Sequence, residues 1–268
     1  MKRLGFMQGR LVPSENKKIQ SFPWKNWRRE FEISNKIGLN LIEWTIDRKN
    51  FFQNPLNTKD GRKEIIKLKK INKIKLKSVT ADFFMQSPFF KKNLKKELNI
   101  LKIFIKNCSK LKIKYIICPL VDNSSIKNEL EEKKLINFFL KINFLIVKHK
   151  LQILFESDYN PKKLRNFIKQ FPAKTFGINY DTGNSAGLGF SFDEEKKYFS
   201  RVKNIHIKDK KYNSLSLKIG TGNYNFKKLF EFLKKKRYKG NYIFQTARNK
   251  DNIKMMKYNI NFLKKFIN

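Results

Sequence analysis

A chain of 268 residues, 40% of them hydrophobic, can bury a sizeable core, which excludes wholesale disorder. No run approaches the ~18 apolar residues of a membrane span, and Met1-Lys2-Arg3-Leu4-Gly5-Phe6 lacks the apolar stretch of a secretory signal, so a cytoplasmic protein with no membrane partner is expected. The formal charge of +39 comes mostly from Lys, which makes up 51 of the 61 basic residues and is spread along the chain. Lys, Ile, Asn and Phe are abundant together and share A+T-rich codons, so compositional drift accounts for the charge and no specific nucleic-acid partner is expected. The positive average potential still steers anionic substrates inward.

In chain order, strand-like apolar runs begin near Arg3, Asn40, Leu76, Lys114, Leu151, Thr175, Val202 and Asn241, with helical periodicity between them. The first helix is expected from about Pro23, a favoured first-turn residue, to Gly38, a favoured stop. The third carries Leu94, Leu98, Leu101, Ile105 and Cys108 on one face. The seventh follows Asn225, a plausible N-cap, and aligns Phe226, Leu229, Phe230 and Leu233. The last aligns Ile253, Met256, Ile260, Leu263 and Ile267.

Strands alternating with helices require parallel crossovers. A repeat of ~37 residues for most units fits an α/β chain folded as a closed (β/α)8 TIM barrel better than an open doubly wound sheet. The absence of GxGxxG after the first strand also speaks against a dinucleotide fold. The fifth and sixth units are shorter, so their helices should be short. No linker or low-complexity tract divides residues 1–268, which read as one domain. Cys108 and Cys118, without CxxC spacing, read as core residues of a reducing compartment.

In such a barrel the C-terminal strand ends converge on the face where chemistry is built. Glu156 follows Leu151-Gln152-Ile153-Leu154-Phe155, and Asp181 opens Asp181-Thr182-Gly183-Asn184. His206 lies between Ile205 and Ile207, and Gln245 follows Phe244. An oxygen, oxygen, nitrogen and oxygen set on successive strands suits a divalent metal ion. Each residue alone has a plainer reading: a salt bridge for Glu156, an ordinary turn for Asp181, a core imidazole for His206. His149, at a helix end between Lys148 and Lys150, reads as solvated and inert.

Several neighbours reach the same rim. Gly220-Thr221-Gly222, just before the seventh helix, reads either as a phosphate cradle or as a plain turn. Arg10 and Arg248, after the first and eighth strands, are scarce arginines in a Lys-rich chain and suit bidentate anion contact. Glu43 and Asp82 end the second and third strands, where they bind substrate hydroxyls or pair with Lys. Trp44, Phe83 and Phe84 form either a pocket wall or ordinary core.

From Gly5 to about Phe266 the chain resembles the xylose-isomerase-like TIM-barrel superfamily, particularly its sugar-phosphate isomerase/epimerase branch. The resemblance rests on Met7-Gln8-Gly9-Arg10-Leu11, Ile42-Glu43-Trp44, Asp181-Thr182-Gly183-Asn184, His206-Ile207-Lys208-Asp209 and Gly220-Thr221-Gly222. It implies that Glu156, Asp181, His206 and Gln245 bind one divalent ion: Mn2+, Co2+, Mg2+ or Zn2+. It further implies a sugar or sugar phosphate as substrate, with Glu156 as catalytic base and Lys208 beside the developing oxyanion. Arg10, Glu43, Asp82, Asn184, Asp209, Gly220, Gly222 and Arg248 would then contact substrate.

Gln245 departs from the pattern, because the family places a second glutamate there. An amide offers a carbonyl oxygen to a metal but accepts no proton at neutral pH. A one-base isomerisation through an enediolate therefore fits better than two-base epimerisation. An inosose-type dehydratase, or a barrel that binds without catalysis, are the alternatives. Endonuclease IV shares the superfamily, but its trinuclear zinc site draws on many histidines and only His206 stands at a strand end. An isologous homodimer is the base-rate assembly.

Overall fold

The computed structural model describes residues 3–15, 20–91, 94–248 and 250–267, with the side chains of 94–96 left aside. The eight parallel strands are β1 (Leu4–Met7), β2 (Leu41–Thr45), β3 (Lys75–Thr80), β4 (Tyr115–Leu120), β5 (Gln152–Ser157), β6 (Phe176–Asp181), β7 (Val202–Ile207) and β8 (Asn241–Phe244). They pair in sequence order, and β8 closes the barrel by pairing with β1. Their near-continuous apolar character follows from burial on both faces, inside the barrel and under the helical layer.

The main outer helices are α1 (Arg29–Lys36), α2 (Lys59–Ile71), α3 (Leu94–Lys110), α4 (Glu129–Lys141), α5 (Pro161–Lys169), α6 (Thr182–Leu188), α7 (Phe226–Lys235) and α8 (Asn252–Ile267). The short fifth and sixth units are carried by α5 and α6, of 9 and 7 residues. The first helix is shorter than its expected span. From Pro23 to Phe31 the chain closes i→i+3 turns, with Asn26 N–H on Pro23 O (3.0 Å) and Arg29 N–H on Asn26 O (3.1 Å), so regular helix begins only at Arg29. Gly38, at φ +78°, ends it in the left-handed region as expected.

On α3, Leu101, Ile105 and Cys108 are buried and Leu98 packs against them, while the side chain of Leu94 lies outside the described residues. On α8, Met256, Ile260 and Leu263 are buried, but Ile253 in the first turn is exposed. Both cysteines are free and buried, and burial pushes both thiols well up from their ordinary range. No helix among the described residues is long and apolar enough to cross a membrane.

The period-2 alternation of the strands sorts the aromatic residues. Glu43 points into the barrel, so Trp44 points outward, where its ring packs 5.4 Å from Phe22 and 5.5 Å from Trp27. Its Nε1 donates to Asn54 Oδ1 at 3.0 Å. Phe83 stacks on Phe84 at 4.4 Å and meets Phe104 edge-on at 5.2 Å. These three rings are therefore core. β1 approaches β2 closely at Gly5, where a Cβ would overlap that of Leu41 and sit 2.6 Å from the Leu41 carbonyl oxygen. Gly5→Ala is expected to cost about 1–3 kcal/mol, read as a lower midpoint of urea unfolding at unchanged m-value.

Candidate metal centre

The same alternation turns Glu156, Asp181 and His206 into the barrel at the C-terminal ends of β5, β6 and β7. Asp181 and His206 are directly paired across the β6–β7 ladder. One ligand atom from each of the three lies within 4.8 Å of the others, and all three residues are buried. His206 Nδ1 sits 3.0 Å from Glu156 Oε2 and 3.9 Å from Asp181 Oδ2. Its Nε2 turns the opposite way, to Glu43 Oε1 at 2.6 Å.

Each acid is held from behind. Asn179 Nδ2 donates to Glu156 Oε2 (2.7 Å) and Asn184 Nδ2 to Glu156 Oε1 (3.2 Å). Asp181 caps α6, its Oδ1 accepting from the N–H groups of Gly183 (2.7 Å) and Asn184 (2.9 Å). Its other oxygen, Oδ2, faces Lys208 Nζ at 2.9 Å. The Lys208 stem reaches that position by crossing Gly183, where a Cβ would lie 2.6 Å from Lys208 Cγ. Glu43 accepts from Thr80 Oγ1 (2.7 Å) and from Asn204 Nδ2 (3.0 Å), and Asn204 also donates to Asn179 Oδ1 (2.7 Å).

This donor set fits a divalent ion. Among the described residues Gln245 Oε1 is buried without a hydrogen bond, while His206 Nδ1 and Asp181 Oδ2 meet only one another and the charged groups of Glu156 and Lys208. Two carboxylates turned towards one imidazole nitrogen make a donor set that a divalent ion satisfies together. Glu43 on Nε2 fixes the ring and its tautomer, which leaves the Nδ1 lone pair for a metal. Glu156, Asp181 and His206 would hold it.

Burial favours the neutral imidazole, but Glu43 and Glu156 outweigh it and push His206 up to about 10. Burial likewise raises Asp181 and Glu43, and the neighbouring cations Lys208 and His206 reverse the sign, so both end below the usual carboxylate range. At pH 7 the metal-free ring is thus protonated, and an ion must displace that proton. Zn2+ uptake is expected to release about one proton per site and to weaken as pH falls, as read by calorimetry in buffers of different ionisation enthalpy.

Across the mouth, Gln245 Nε2 donates to Gln20 Oε1 (2.9 Å), and Gln20 Nε2 donates to Asp82 Oδ2 (2.6 Å). Burial, with Asp47 and Glu156 nearby, pushes the Asp82 carboxyl up to about 8 despite the Gln20 hydrogen bond. Arg10 and Arg248 are brought together around buried Glu30, which accepts from Gly9 N–H (2.8 Å) and Leu11 N–H (3.1 Å). Burial pushes Glu30 up to about 7, and burial beside Arg248 brings Arg10 down to about 10. Gly220 and Gly222 direct their N–H groups to Asp209 Oδ2 (2.8 and 2.9 Å), so these three positions hold one another. A cavity of about 20 Å3 touches Glu156 and Asp181 on the side of Tyr198, room for a water or a bare ion.

Gln20, Glu30, Asn179 and Asn204 escaped the reading of the sequence. The two asparagines had a usable signal, since each lies two residues before a ligand on the same strand face. Gln20 and Glu30 had none, because neither lies on a barrel strand: Gln20 sits between β1 and α1, and Glu30 in the first turn of α1. His149 caps the short helix Asn143–Lys148, away from these strand ends.

The sequence matches the family described as Xylose isomerase-like TIM barrel over residues 31–266. The chain belongs to that family. Solved structures of the same shape include the IolI protein with a bound zinc atom, at TM-score 0.76 and 15% identity over 99% of each chain. The 3-keto-D-glucoside 4-epimerase YcjR from E. coli superposes at TM-score 0.75 and 13% identity, covering 99% of this chain and 100% of that one. D-psicose 3-epimerase from Clostridium cellulolyticum H10, with D-tagatose, gives TM-score 0.73 and 13% identity over 99% of each chain. At these identities the likeness shows the fold. No curated protein sequence matches the chain. As a xylose isomerase-like barrel it carries a buried Glu, Asp and His group, on β5, β6 and β7.

Proposed function

We propose that this chain is a divalent-metal-dependent isomerase or epimerase of a sugar or sugar phosphate, with Glu156 as its base. The observation that carries the proposal is the convergence of Glu156, Asp181 and His206 within 4.8 Å at adjacent strand ends. Family membership and the sugar epimerases among the structural neighbours support a carbohydrate substrate. A bound ion would act as a Lewis acid on a substrate carbonyl and its neighbouring hydroxyl.

The chain's own groups do the rest. Glu156 takes the proton from the carbon next to the carbonyl, and that C–H pair becomes the double bond of an enediolate. The carbonyl π pair moves onto oxygen, where the Lys208 ammonium stabilises the charge. Asp82, held protonated near neutral pH, donates a hydrogen bond to a substrate oxygen. The proton of the neighbouring hydroxyl passes to the former carbonyl oxygen, Glu156 returns its own proton to the former carbonyl carbon, and the carbonyl has moved by one position. Gln245 carries no proton, which favours this single-base route over transfer between two glutamates.

The test is a panel of ketoses, aldoses and their phosphates, incubated in heavy water with metal-loaded protein and followed by NMR. Deuterium at a carbon next to a carbonyl is expected for at least one member. A fully metal-loaded protein that exchanges none of them overturns the proposal and leaves the non-catalytic barrel. Loss of water from an inosose in the same screen moves it to a dehydratase.

A further inference from the structure

A cavity of about 530 Å3 opens at the other end of the barrel. It is lined by the starts of β4 and β7 at Lys114, Tyr115 and Lys203, by Gly240 just before β8, and by the last turn of α7 with the residues after it. Among the described residues, seven cationic side chains line it and no acidic one does. Two of them, Lys196 and Lys197, are already paired with Asp193 and Glu194. The other five, Lys114, Lys203, Lys236, Arg237 and Lys239, form no ion pair among the described residues.

A Lys-rich chain places ammonium groups everywhere, and the C-terminal end of α7 attracts Lys236 through its dipole. Neither accounts for a concavity that draws cations from separate elements. Like charges facing one another across low-dielectric walls repel and focus a positive potential. Lys203 shows the effect: burial, then Arg201 and Lys114, pushes its ammonium down from the ordinary value. The walls are also aromatic. The Tyr238 ring lines the cavity, its hydroxyl turned against Gly240. Tyr115, Phe199 and Phe232 add aromatic surface to the same walls.

We propose that this end of the barrel is a second binding site, for a small molecule bearing several phosphates on an aromatic body, that is, a nucleoside polyphosphate. The volume lies within the ~300–1,000 Å3 typical of small-molecule sites. Its concave shape suits a compact ligand better than an extended polymer. The site is independent of the metal centre, which occupies the opposite strand ends.

Calorimetry with ATP at about 0.15 M salt tests it, since diffuse surface attraction is largely screened there. One saturable ATP site per chain is expected, with inorganic tripolyphosphate binding roughly tenfold more weakly for want of the stacked ring. Lys203→Glu/Arg237→Glu should weaken ATP at least ~tenfold, and Lys236→Glu/Lys239→Glu, two exposed positions, should do the same if the first pair folds poorly. Lys67→Glu/Lys70→Glu, on the exposed face of α2, changes net charge equally and should alter ATP affinity less than ~twofold. Equal weakening by the α2 pair, or no saturable ATP binding, overturns the proposal. So does tripolyphosphate binding as tightly as ATP. A DNA duplex that binds and responds to the cavity variants while ATP does not would make this end a polymer-binding face instead.

Discussion

Glu156→Gln is expected to lower proton exchange on the substrate by roughly 10²–10⁴-fold, the loss associated with removing a general base. The substitution keeps the side chain's size but changes two things. The amide accepts no proton, and its NH2 must face either Asn179 Nδ2 or Asn184 Nδ2, both of which now donate to the carboxylate. Metal affinity should therefore fall as well, and the two effects have to be separated. Bound metal measured alongside exchange does this. At saturating Zn2+ or Mn2+ the variant should recover its ion and remain inactive. Recovery of exchange with the ion would make Glu156 a ligand alone and shift the base elsewhere.

The fold was legible because each strand announces itself locally. Apolar runs bounded by polar residues placed all eight strand starts within a residue or two, and closure followed from regular alternation with helices. The first helix was not legible at its start, since Pro23 suits a 3-10-type turn as well as a helical first turn. The buried Glu, Asp and His group was legible for a similar reason. Glu156, Asp181 and His206 end neighbouring strands, so barrel topology alone brings them together. What stayed hidden is cross-barrel pairing. Glu43 and His206 are 163 residues apart, on strands that are not neighbours in the sheet. Only inward projection across the barrel joins them. The Gly220-Thr221-Gly222 turn shows the converse. Its motif suggests a ligand cradle, yet Asp209 takes two of the loop's N–H groups.

Glu43 is therefore where sequence and geometry suggest different roles, and its substitution separates them. As a substrate contact, Glu43→Gln would raise KM and leave the metal alone. As the group that orients His206, it should lower metal affinity by about 10–100-fold, because a ligating imidazole depends on the acceptor behind it. Equilibrium dialysis with Zn2+ reads that difference without any substrate. Metal affinity within about threefold of the parent would return Glu43 to the substrate. Glu43→Ala goes further. It removes the acceptor shared by Thr80 Oγ1, Asn204 Nδ2 and the imidazole, all of them buried, and should cost about 3–5 kcal/mol in urea unfolding of the metal-free protein. The pH dependence carries the sign. The folded ring titrates at about 10, above its ordinary 6.5, so the stabilisation is complete below pH 6.5 and is lost as pH rises through 10. The difference between parent and Glu43→Ala should shrink over that interval, whereas a cavity left by a merely space-filling side chain would cost the same at every pH.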